Sequence, residues 1–107
     1  MLAGRIAAAP GMDRQAQSTA PKRIEYEFRR LYYDTARAAN RPVMAALTSL
    51  VPISQVLFGT DYPFVHSIAR TLEGLKTVGF SEAELQAIER DNALALLPRF
   101  KAAVAAA

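Results

Sequence analysis

Two carboxylates stand where the sequence stops being apolar. Asp34 closes the run Leu31-Tyr32-Tyr33, and Asp61 follows Gln55-Val56-Leu57-Phe58-Gly59-Thr60. In parallel α/β folds the C-terminal ends of strands face the site, so an acid there either does chemistry or caps the next loop through backbone N–H groups. At Asp34 the following Thr35-Ala36-Arg37 can start a helix directly, which favours the cap. At Asp61, Gly59 admits close approach of the backbone and Pro63 stiffens the turn, which favours a functional acid. His66, the single histidine, is expected one turn into a helix near the same strand end, where a surface or helix-start role outweighs ligation. Asn92 shares a helical stripe with Leu85 and Ile88, and a buried asparagine must be hydrogen-bonded, so it should tie its helix to a neighbouring loop. Tyr32, Tyr33, Phe58 and Phe64 read as core, although Tyr62 and Phe64 can line a pocket mouth.

Several chemistries fail on inspection. No serine has the strand-turn-helix setting of a nucleophile elbow, and no glycine-rich loop is present to cradle phosphate. A catalytic zinc centre takes three protein ligands and a water position. One histidine and no cysteine cannot assemble its histidine-rich version alone.

The elements that must hold these acids follow from periodicity and punctuation. Residues 2–9 supply one or two helical turns ended by Pro10-Gly11, and the polar residues 12–21 read as a loop. Pro21 opens a short helix with Ile24, Tyr26 and Phe28 around it. Leu31 to Thr35 is a first strand. Asn40 caps a helix with Pro42 in its first turn and Val43, Met44, Leu47 and Leu50 as its stripe; Pro52 stops it. Gln55 to Phe58 is a second strand, continuously apolar as expected when both faces are buried. A helix should follow Pro63, with Val65, Ile68, Ala69, Leu72 and Leu75 at 3.6-residue spacing, ended at Gly79. Ser81 and Glu84 form a capping box, flanked by Phe80 and Leu85 as a hydrophobic staple. That helix runs to about Leu97, Pro98 breaks it, and the Ala-rich tail 99–107 adds a last one. Two short strands separated by a helix describe a βαβ unit with parallel strands. The chain is therefore α/β but mostly helical as it stands.

Composition sets the outer bounds. Of 107 residues, 51% are apolar and 21% charged, a globular balance. The net charge of +3 is scattered and mostly beside acids, with no groove-reading motif, which argues against nucleic acid. No apolar stretch approaches the roughly 20 residues of a membrane span. The Ala-rich start is too short and interrupted for a signal peptide, so a cytoplasmic location is expected.

Together, LYYDTA, VLFGTDYPF about 25 residues later, the S-x-x-E helix start and DNALALLPR resemble the C-terminal end of the amidohydrolase-related family. More narrowly they resemble the branch of aminocarboxymuconate-semialdehyde decarboxylase, which holds nonoxidative decarboxylases and hydrolases. The resemblance runs from Arg29 to Phe100, and more loosely through LAGRI near the start. It implies a (β/α)8 TIM barrel with a divalent metal, zinc first among the candidates, at its C-terminal face. It implies histidine ligands from earlier strands and an aspartate after the eighth. Asp61 matches that aspartate, so metal binding and the handling of the water a metal activates carry over to it, as the single catalytic and metal-site residue. Leu31–Asp34 would then be the seventh strand and Gln55–Phe58 the eighth.

A full barrel takes about 250 residues, so residues 1–107 are expected to be a C-terminal fragment holding the last two strands and helices. Strands one to six and the histidine ligands are missing. The expected parent acts on a small carboxylated or cyclic substrate. This chain alone is expected to bind no metal and to be inactive. Open strand edges point to self-association through apolar faces. The rival expectation is a non-enzymatic helical interaction module, in which Asp61→Asn changes nothing while changes at Leu72 or Leu75 weaken a complex.

Overall fold

Proline, glycine and short capping side chains divide this chain into brief elements, and the computed structural model describes residues 23–106 of it. The expectations for residues 2–9, for the loop 12–21 and for Pro21 fall outside those residues. The chain separates into two compact units, Met1–Leu31 and Tyr32–Ala107. The first contains α1, residues 23–30, where the Arg30 guanidinium lies over the Tyr26 ring at 5.5 Å from its centroid.

In the second unit β1 is Tyr33–Asp34, α2 is Arg41–Leu50 and β2 is Val56–Leu57. The two strands pair in parallel, Tyr33 opposite Val56 and Asp34 opposite Leu57. This is the helix-connected parallel pair that the spacing predicts. Both strands are shorter than expected, and Leu31 lies outside β1. Among the described residues the sheet has two strands, so it is a small parallel ribbon and not a closed barrel. Asn40 starts α2, its Oδ1 accepting the Val43 N–H at 3.1 Å, with Pro42 in the first turn. Met44 is fully buried from the stripe of α2, whereas Val43 is exposed.

Helix α3 is Ile68–Lys76, capped by Ser67, whose Oγ accepts the Arg70 N–H at 3.3 Å. It begins later than the apolar spacing after Pro63 implies, because residues 62–64 form a turn and Ser67 supplies the cap. His66 therefore precedes the helix instead of sitting inside it. The expected stripe is also only partly right: Leu75 is buried and Leu72 half-buried, but Ile68 and Ala69 are exposed, and Thr71, outside that stripe, is buried instead. Leu75 has no exposed surface, so changing it would test the core and not a docking face. Gly79 follows with φ +98°, the left-handed conformation that glycine adopts at least cost.

Ser81 and Glu84 form the predicted capping box at the start of α4, Glu82–Gln86. A π-helical turn, Ala87–Asp91, then joins α4 to α5, Asn92–Leu96. An i to i+5 hydrogen bond, Gln86 Nε2 to Asp91 Oδ2 at 2.9 Å, spans this wider turn. With the Arg90 guanidinium donating to the other oxygen, these bonds hold the Asp91 carboxyl below the usual carboxylate range. Pro98–Phe100 is a 3-10 turn and α6 is Lys101–Ala106, the helix expected in the Ala-rich tail. The core is Met44, Val51, Val56, Leu75 and Ile88, with Thr35, Thr71 and Asn92 as its buried polar members. Asn92 Nδ2 donates to the carbonyls of Ile53 and Val56, as its place on the Leu85–Ile88 stripe predicts.

Candidate functional site

The two loops that leave the C-terminal ends of β1 and β2 carry nearly every side chain with chemistry to offer. Thr35 locks these loops together. Fully buried, its Oγ1 donates to the Gly59 carbonyl at 2.9 Å and accepts the Gly59 N–H at 3.1 Å, while its own N–H donates to the Leu57 carbonyl. Gly59 fits because nothing larger would: a Cβ there would stand 2.9 Å from Asp34 Cβ. Thr35→Val keeps the shape and leaves both Gly59 backbone groups without their partner, so a loss of about 2 kcal/mol is expected. Urea unfolding measures it, and faster hydrogen exchange at the Gly59 amide would accompany it; an unchanged Thr35→Val would contradict the lock.

Asp34 is the last residue of β1, and its Oδ1 accepts the Ala36 N–H at 2.7 Å. That is the capping role the sequence favours for it. Asp61 lies on the loop after β2. It takes a left-handed backbone, φ +64°, which aspartate tolerates better than most residues, and its carbonyl accepts the Val65 N–H. The Tyr62–Pro63 peptide bond beside it is cis. Arg37, on the loop after β1, is also left-handed at φ +56°, and its Nε donates to Asp61 Oδ2 at 2.9 Å. An ion pair this exposed is worth about 0–1 kcal/mol, so the loops, not the pair, hold the two groups together. Arg37 carries no sequence signal beyond its charge and was not singled out by motif or spacing. Thr35 was likewise missed, because only the register shows its hydroxyl opposite Gly59.

Beside this pair opens a cleft of ≈ 690 Å³ between the Arg37–Asn40 loop, the Phe64–Ser67 segment and the first turn of α3. His66, exposed, lines it together with Arg37 and Arg70. The structure thus brings His66 within the same cleft wall as the partner of Asp61, and leaves Asn92 in the core. Burial raises the Tyr33 hydroxyl pKa above its ordinary value, in keeping with its place in β1.

Asp61 offers one carboxylate, already bonded to Arg37 through Oδ2. Among the described residues no group of three histidine, cysteine, aspartate or glutamate side chains is placed to hold an ion. The residues present do not fit a complete metal centre, which takes at least three protein ligands.

A family model described as amidohydrolase matches residues 4–99, a span that includes both strands, both acids and the cleft. Its members are generally metal-dependent. The match reaches the family as a whole and does not single out the decarboxylase branch. No curated protein and no solved structure matches the chain. Among the described residues no helix is long and apolar enough to cross a membrane.

Proposed function

The chain belongs to the amidohydrolase family, and from that premise we propose that it carries the last-strand acid of a metal-dependent amidohydrolase site. Asp61 is that acid, the residue this segment contributes to a divalent-metal centre, zinc first among the candidates. The observation that carries the reading is the parallel pair β1–β2, with Asp61 on the loop that leaves the C-terminal end of its second strand. Ligands gather at that end of parallel strands.

Histidines from outside these 107 residues complete the centre, since the sequence holds only one. The isolated chain is consequently inactive, and the parent site belongs to a barrel enzyme of the cytoplasm. The parent hydrolyses or decarboxylates a small carboxylated or cyclic substrate, in the manner of the aminocarboxymuconate-semialdehyde decarboxylase branch.

Incubating the purified chain with zinc or manganese, removing free ion by gel filtration and measuring the metal by elemental analysis tests this. Far less than one ion per chain is expected to remain, and Asp61→Asn should retain no more. A monomer that keeps one tightly bound ion would overturn the shared-site reading.

A second reading, a non-enzymatic helical interaction module, is favoured by one feature. Leu96, Leu97, Phe100 and Val104 are exposed on the last helical segments. It predicts that Phe100→Ser weakens self-association in sedimentation while Asp61→Asn leaves it alone.

A further inference from the structure

The polar functions left over on the wall of the cleft beside Asp61 are mostly donors, and the His66 imidazole and Thr71 hydroxyl can donate or accept. Asn40 spends its Oδ1 on the Val43 N–H, which leaves Nδ2 to donate. Ser67 spends an Oγ lone pair on the Arg70 N–H, which leaves its hydroxyl proton to donate. Arg37 uses Nε on Asp61, which leaves its two Nη groups. Arg70, on the first turn of α3, lines the cleft with no acid paired to it among the described residues. Among the described residues no carboxylate lines the cleft. Phe64 stands at its edge, 77% exposed, an aromatic face with little protein over it.

The geometry points to a carboxylate-binding cleft on this chain, in which Arg37, Asn40, Ser67 and Arg70 hold the carboxylate of a small planar acid and Phe64 covers its ring. Two guanidiniums with one charge answered by Asp61 leave a single positive charge for the ligand, which matches a monoanion. Inorganic phosphate is tetrahedral and partly dianionic at neutral pH, so it matches less well. Planar forks of N–H donors suit a carboxylate in a bidentate geometry, and the volume lies within the about 300–1,000 Å³ of small-molecule sites. The inference rests on the proposed function only in taking this cleft as the substrate side of the Asp61 site; Arg37 bonds to Asp61 and lines the cleft, so an acid held here lies beside that carboxylate.

Amide NMR titration of the 107-residue chain in chelator-treated buffer is the test, with benzoate, benzamide and inorganic phosphate as probes. Benzoate should shift the Arg37, Asn40, Ser67 and Arg70 amide signals saturably, and benzamide should not. Phosphate should bind more weakly than benzoate. Arg70→Gln should raise the benzoate Kd at least about tenfold, the scale of one lost charge-assisted hydrogen bond. Arg70→Lys should recover part of that loss, and Arg90→Gln, which lies outside the cleft, should leave the Kd unchanged. No saturable shift at the cleft, equal binding of benzamide, tighter binding of phosphate, or an Arg70→Gln variant equal to the parent would each overturn the inference. Because no metal is present, failure here leaves the zinc experiment on Asp61 to be judged separately.

Discussion

Gly74→Ala is expected to destabilise the unit Tyr32–Ala107 by about 2–3 kcal/mol, although in an unobstructed helix the same exchange would gain about 1 kcal/mol. The obstruction is backbone. A Cβ at position 74 would collide with the Ala39 carbonyl oxygen and stand 3.1 Å from Ala39 Cβ. A flexible side chain could turn aside, but a carbonyl carries its peptide plane with it. Either α3 lifts from the loop or the loop moves. That loop bears Arg37 and leads into the Asn40 cap of α2, so its displacement reaches both the Asp61 ion pair and the start of a second helix. Leu75, fully buried next to Gly74, would lose packing in the same shift. Urea unfolding followed by far-UV circular dichroism should show a midpoint lowered by roughly 1–2 M, or no cooperative unfolding at all. A Gly74→Ala chain as stable as the parent would mean that α3 does not seat against Ala39.

Local signals carried the element order well, and they carried it where one or two neighbouring residues decide the outcome. Asn40 and Pro42 at the start of α2, and Ser81 with Glu84 at the start of α4, are short-range hydrogen-bond patterns, and the structure forms both. The parallel pairing of two strands was legible from their apolar runs and the helix between them. The start of α3 was not, because apolar spacing at Val65 and Ile68 outweighed the cap that Ser67 provides, and His66 was placed inside a helix it precedes. The π turn at Ala87–Asp91 has no periodic signature of its own, since its one extra residue is hidden within a helical pattern.

At the site the split is similar. Asp61 was legible as a strand-end acid beside Gly59 and Pro63, and its assignment to a metal came from resemblance alone. Arg37 and Arg70 were invisible because their meaning comes from where two loops converge, 24 residues apart in the Arg37–Asp61 pair. A guanidinium on a loop looks the same in sequence whether it faces solvent or a neighbouring carboxylate. The family match from 4 to 99 shows the family and no more, and the substrate side proposed for the cleft rests on Arg37 and Arg70, which only the fold brings together.

Asn92→Asp should be the most damaging single-atom exchange near the strand that leads to Asp61, and its cost should grow with pH. The Asn92 amide donates one N–H to the Ile53 carbonyl at 2.7 Å and the other to the Val56 carbonyl at 2.8 Å. Val56 is the first residue of β2, so this amide fastens α5 to the strand from which the Asp61 loop departs. Asn92→Ala removes both donors and leaves two carbonyls facing a small void, for an expected loss of about 3 kcal/mol. N92D keeps the volume and turns both donors into acceptors. Ionised, its carboxylate would face two carbonyl oxygens in a buried seat, so folding favours its protonated form, in which one O–H still donates to a carbonyl. Its folded-state pKa is thereby raised above the ordinary value of about 3.9. A raised folded-state pKa contributes stability that is fully present below the unfolded pKa and is lost as pH rises through the folded one. The gap between N92D and the parent chain should accordingly be smallest near pH 4 and widen toward pH 7. Unfolding both proteins in urea across that range measures it. A gap that stays constant with pH would show that the position 92 side chain does not face the two carbonyls in the folded chain.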